Sequence, residues 1–130
     1  MIRRFLALLS ITITLLAAPI APGKYQGKWE GASGGSGDFK LTLTAGDAGS
    51  WKSEVTFSLA GQDVKCQVKS VTVNDSKLRV VYTFDLQGTV LESTIEGEQS
   101  GEKLGGTYKT RVVSDGSAVD EGSWQTTAQK

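Results

Sequence analysis

The 130-residue chain carries 14 basic and 14 acidic side chains, 16 glycines, one cysteine and no histidine. A balanced charge with scattered Lys and Arg argues against a nucleic-acid surface or an anionic-membrane binder, because both need a concentrated basic face. The absence of histidine removes the usual general base, the orienting member of a Ser-His-Asp triad and the commonest zinc ligand together.

In chain order, Arg3 and Arg4 precede an uncharged, almost wholly apolar run from Phe5 to Ala18, and Ala21 and Gly23 set small residues where a signal peptidase reads. Residues 1–23 are therefore expected to form a secretory signal peptide cleaved before Lys24, and residues 24–130 one exported domain, periplasmic or extracellular. The apolar run falls short of the ~20 residues that a spanning helix needs, and no basic stop-transfer cluster follows, so no integral membrane segment is expected after processing. Loss of Arg3 and Arg4 leaves 12 basic against 14 acidic side chains on the remaining 107 residues, a size suited to one domain. Cys66 is alone, so export brings no internal disulfide, and its place between Val64 and Val68 reads as a small buried hydrophobe.

From Lys24 onward the pattern is period-two alternation. Phe39, Leu41 and Leu43 are followed by Val55, Phe57 and Leu59, and then by Leu78, Val80, Tyr82, Phe84 and Leu86, with polar residues between them. Gly-rich or Asp/Asn-containing breaks fall at residues 34–37, 46–50, 61–62, 74–76, 87–88, 100–101 and 115–117, so seven breaks separate eight strands. The expected fold is all-β: an eight-stranded antiparallel meander, closed as an up-and-down barrel because every neighbouring pair is a short hairpin and closure removes exposed edges. The first and last strands would meet, each carrying Gly-x-Trp as Gly27-Lys28-Trp29 and Gly122-Ser123-Trp124, with Gly making space beside a bulky ring.

Two-residue hairpin loops then set which residues face each other. A Gly61-Gln62 loop sets Leu59 against Val64, Phe57 against Cys66 and Glu54 against Lys69. A Gln87-Gly88 loop sets Phe84 against Leu91, Val80 against Ile95 and Arg79 against Glu96. A Ser100-Gly101 loop sets Ile95 against Gly106, Leu91 against Thr110, Glu98 against Lys103 and Glu92 against Lys109. Each register puts apolar pairs on one face and opposite charges on the other. Val68 and Val71 are out of phase, which calls for a bulge near Lys69-Ser70. An Asp115-Gly116 turn would direct Trp124 outward, whereas one more loop residue turns it inward opposite Tyr108.

The candidate chemistry is sparse. Glu92, Glu96 and Glu98 have cross-strand cationic partners and read as a solvated face rather than an acid-base pair. Asp115, Asp120 and Glu121 lack the alternating spacing of a calcium loop, and Gly34-Gly35-Ser36-Gly37 precedes a strand rather than a phosphate-binding helix. Asn74-Asp75-Ser76 is a glycosylation sequon and equally an ordinary turn. No metal, cofactor or catalytic residue is therefore assigned. The constellation that remains is internal: Tyr82 beside Ser93 and Ser93 beside Tyr108, a hydroxyl row on an apolar face. It is either a self-satisfied strip in a filled core or the polar wall of a ligand cavity with Trp29, Trp51 or Trp124 as its apolar side.

Gly27-Lys28-Trp29 on the first strand, followed by hairpin-connected strands, resembles the lipocalin and avidin group of small up-and-down barrels. The pattern is also similar to that of exported bacterial proteins built on Gly-x-Trp and Gly-rich hairpins. The resemblance implies a ligand-holding barrel mouth and nothing about catalysis. The expected function is thus a non-catalytic binding module with Tyr82, Ser93, Tyr108, Trp29 and Trp124 around a small or apolar ligand. The alternative is a structural or protein-interaction domain with a filled core.

Overall fold

The computed structural model describes residues 19–129. Most of the expected leader therefore lies outside the described residues. The described chain is all-β apart from one short 3-10 turn at Asp47–Gly49. Its strands are β1 (Gly23–Gly31), β2 (Ser36–Ala45), β3 (Trp51–Leu59), β4 (Gln62–Lys65), β5 (Gln67–Asn74), β6 (Lys77–Leu86), β7 (Thr89–Ser100), β8 (Lys103–Val112) and β9 (Ala118–Ala128). They form one antiparallel sheet in the order β4-β3-β2-β1-β9-β8-β7-β6-β5, coiled into a half-barrel. Among the described residues no helix is long and apolar enough to cross a membrane.

Two features of the expected barrel are corrected. There are nine strands rather than eight, because the fourth expected strand breaks at Cys66 into β4 and β5. The ladder is also not closed: β1 and β9 pair as expected, with Trp29 opposite Trp124, but β4 and β5 are left as the two sheet edges. The physical cause lies in one segment changing partner. Residues 62–65 pair with β3, and residues 67–74 pair with β6, so neither neighbour is laddered along its whole length. β3 and β5 touch without pairing.

The β6–β7 register is as the sequence implies, with Val80 opposite Ile95, Phe84 opposite Leu91 and Arg79 opposite Glu96. Arg79 Nη1 lies 4.0 Å from Glu96 Oε2 with both side chains mostly exposed, a pair worth at most about 1 kcal/mol. The expected bulge is present, with the register shifting between Val68 and Ser70. Elsewhere the partners slip by two residues. The β3–β4 turn is Ala60-Gly61, with φ of 52° and 82°, so both central residues take the left-handed values of a type I′ turn, and Phe57 faces Val64 instead of Cys66. Glu54 accordingly faces Thr42 and not Lys69.

The β7–β8 turn is Gly101-Glu102, which sets Ile95 against Tyr108, Leu91 against Val112 and Glu92 against Arg111. Arg111 Nη2 and Nε donate to Glu92 Oε1 at 2.8 and 3.0 Å, replacing the expected Lys109 pairing. Glu98 faces Gly105 rather than Lys103 and accepts a hydrogen bond from Ser76 Oγ at 3.3 Å.

One core runs through the half-barrel, built from Tyr25, Trp29, Phe39, Leu41, Leu43, Val55, Phe57, Leu78, Val80, Ile95, Leu104, Trp124 and their neighbours. Full burial of each large apolar side chain contributes about 1.5–3 kcal/mol against exposure. At the Gly-x-Trp seam the crowding is mainly backbone and not ring: a Cβ on Gly27 would overlap the Gln125 carbonyl, and one on Gly122 the Glu30 carbonyl.

The end of the half-barrel carrying the β5–β6 and β7–β8 turns is covered by residues just before β1. Ile20 is buried, and its N–H donates to the Asp75 carbonyl at 2.8 Å. The Ala21 N–H donates to Gln99 Oε1 at 2.9 Å, and the Tyr25 hydroxyl donates to the Ala21 carbonyl at 2.6 Å. Ile20→Ala should therefore lower stability by about 2–4 kcal/mol in urea unfolding, as for other buried aliphatic truncations. A change below about 0.5 kcal/mol would show that this segment does not plug the fold.

Candidate functional site: an aromatic cavity at the open end

Alternation along β1, β3, β6, β7, β8 and β9 directs Trp29, Phe57, Tyr82, Phe84, Ser93, Tyr108 and Trp124 to one interior surface. They do not fill it. A cavity of about 130 Å³ remains, lined by these residues with Phe39, Leu59, Leu86, Leu91, Ile95, Thr110, Val119 and Asp120. It opens past Val119, which is 48% exposed, at the end carrying the β3–β4, β6–β7 and β8–β9 turns.

The walls are aromatic and fixed in place. Trp29 meets Phe57 and Tyr108 edge to face, with centroids 6.3 and 6.2 Å apart and planes at 87° and 89°. Phe57 and Phe84 pack at 4.9 Å and 78°. Such pairs contribute about 0.5–1.5 kcal/mol beyond burial. Each indole N–H is bound to backbone: Trp29 Nε1 donates to the Ser58 carbonyl at 2.9 Å, and Trp124 Nε1 to the Thr107 carbonyl at 3.1 Å. The backbone thus holds both indole rings in orientation.

Polar groups occupy two places. Deep in the wall, the Ser93 and Thr110 hydroxyls share a hydrogen bond of 2.5 Å. Toward the opening, the Tyr108 hydroxyl donates to Asp120 Oδ2 at 2.8 Å, and Ser33 Oγ donates to Asp120 Oδ1 at 3.1 Å. Burial pushes the Tyr82 phenol well above its ordinary range, and the nearby Cys66 adds to this. Burial raises Tyr108 as well, reinforced by the hydrogen bond it donates to the Asp120 carboxylate. Both phenols therefore stay neutral at physiological pH and can donate hydrogen bonds.

All five residues proposed from the sequence line this one cavity. Their expected contacts are revised: Tyr82 faces Ser93, but Ser93 faces Thr110, and Tyr108 lies two residues along opposite Ile95. Trp124 points inward, yet its neighbour on β8 is Gly106 and not Tyr108. Trp51 packs at the core margin and does not line the cavity. Sequence reasoning missed Thr110 and Asp120. Thr110 was accessible through its spacing of two from Tyr108, and Asp120 through its spacing of four from Trp124, in the same continuous register that sets it opposite Thr110.

Among the described residues no group of three or more His, Cys, Asp or Glu side chains comes together to hold a metal ion. Asp115 is held by Ser117, whose hydroxyl and backbone N–H both donate to it and keep its carboxyl below the usual range. Burial raises the Cys66 thiol from its ordinary 9.0 to about 12. An unfolded thiol loses its proton above 9.0 while the folded one keeps it, so rising pH favours unfolding across that interval. The urea midpoint should hold to about pH 9 and fall toward pH 12, less steeply in Cys66→Val. A midpoint unchanged between those values would contradict burial of this thiol.

No known protein family, curated protein or solved structure matches this chain.

Proposed function

We propose that this chain is an exported, non-catalytic binding module that holds a small, largely apolar ligand inside the half-barrel. The observation that carries this reading is the convergence of Trp29, Tyr82, Ser93, Tyr108 and Trp124 on one open cavity. Its 130 Å³ is smaller than the roughly 300–1,000 Å³ of drug-sized sites, and close to the ~150 Å³ cavity that accepts benzene. The occupant is therefore a single ring or short branched chain. Export is read from the leader pattern; cleavage before Lys24 would remove Ile20 and Ala21 and uncover the end they plug, whereas cleavage before Ile20 would keep it.

Trp29 and Trp124 form part of the wall, so occupancy changes their fluorescence. Titration with a panel of single-ring and short aliphatic compounds should give a saturable response for at least one. A flat signal across the panel would favour an interaction domain instead, a reading supported by the unpaired edges of β4 and β5.

A further inference from the structure

Asp120 has a setting that the other acidic side chains lack. It borders both the interior cavity and the outer groove of β8 and β9, so it stands where a ligand enters. Two neutral hydroxyls, from Tyr108 and Ser33, orient its carboxylate. Gly31 makes room for the arrangement, since a Cβ there would meet both Asp120 Oδ2 and the Tyr108 hydroxyl. The ion pairs among the described residues are Lys28 with Asp38, Arg79 with Glu96 and Arg111 with Glu92, and Asp120 takes part in none. A carboxylate offers about four acceptor sites, of which two are used.

The site thus combines an apolar, aromatic chamber with one oriented anion at its opening, while the cations of the adjoining groove are Arg79 and Arg111, held by Glu96 and Glu92, and Lys109, which stands opposite Glu121. We infer that the cavity selects a small primary amine, with its ring or branched chain inside and its ammonium received by Asp120 at the mouth. This inference rests on the cavity being a binding site, and it specifies the class of ligand.

Benzylamine and benzyl alcohol separate the two ideas because they share a ring and differ in the charged head. In isothermal calorimetry, or by the tryptophan signal, benzylamine should bind about tenfold tighter or more, as expected when a hydrogen bond gains a charge. Benzoate should bind more weakly than either. Asp120→Asn keeps the shape and an acceptor for Tyr108, and should weaken benzylamine about tenfold more than benzyl alcohol, which erases the amine's advantage. Equal affinities in the unaltered protein, or a preference that survives Asp120→Asn, would overturn the inference and leave the cavity reading standing. If neither compound binds, the inference falls, while the cavity reading falls only with a flat signal across the whole panel. The comparison in the unaltered protein decides the matter even if the variant does not fold.

Discussion

Trp124→Ala is expected to lower stability by about 3–5 kcal/mol, the range for large aromatic truncations in packed cores. Trp124 is 1% exposed and the largest of the fully buried side chains. Its ring packs on Phe39 at 5.3 Å, and its edge occupies the space left by the missing side chain of Gly97. It also sits where β9 joins both β1 and β8, opposite Trp29 on one side and Gly106 on the other. A domain of this size has roughly 5–15 kcal/mol in total, so the loss would leave it marginal or unfolded at 37 °C. Urea unfolding measures this directly, and a cost under about 1 kcal/mol would place Trp124 outside the core.

The second large effect is on binding. Ser93 and Thr110 face each other across β7 and β8, so changing only one would strand a buried hydroxyl at a cost of about 1–3 kcal/mol. Replacing both, as Ser93→Leu with Thr110→Val, removes the polar pair together and puts extra carbon into the cavity. The double variant also takes Ser93 away from the buried Tyr82 hydroxyl, so its stability should fall by about 1–3 kcal/mol while the fold is kept, and it should lose at least tenfold in affinity for whichever ring compound binds, by roughly the rule that 1.4 kcal/mol is a factor of ten. Retained affinity in a folded double variant would put the ligand elsewhere.

The pattern of hits and misses has one physical origin. Side chains alternate with period two, so slipping a hairpin by two residues returns every side chain to its own face. Moving the β7–β8 turn from Ser100-Gly101 to Gly101-Glu102 therefore kept Ser93, Tyr108 and Thr110 inside while exchanging their partners. A separate two-residue slip, in the β8–β9 hairpin, sets Trp124 opposite Gly106 instead of Tyr108 and likewise keeps it buried. The β6–β7 hairpin was legible down to its partners, because Gln87-Gly88 is flanked by apolar and charged pairs that fit one register.

What alternation cannot encode is a change of partner within a continuous run. Residues 62–74 read as one strand, but the ladder passes from β3 to β6 at Cys66, and with it goes barrel closure. Asp120 was hidden because the sequence left the face of Trp124 open, and Asp120, four residues before it on β9, shares that face. The plug formed by Ile20 resembled the end of an apolar leader and could be recognised only through its hydrogen bond to Asp75 and its burial.

Crystals held under xenon pressure put the cavity itself to the test, since xenon enters dry apolar voids of this size without needing a chosen ligand. A xenon atom bounded by Tyr82, Ser93 and Tyr108 is the expected result. Continuous side-chain packing across that space, with no xenon inside the half-barrel, would contradict it.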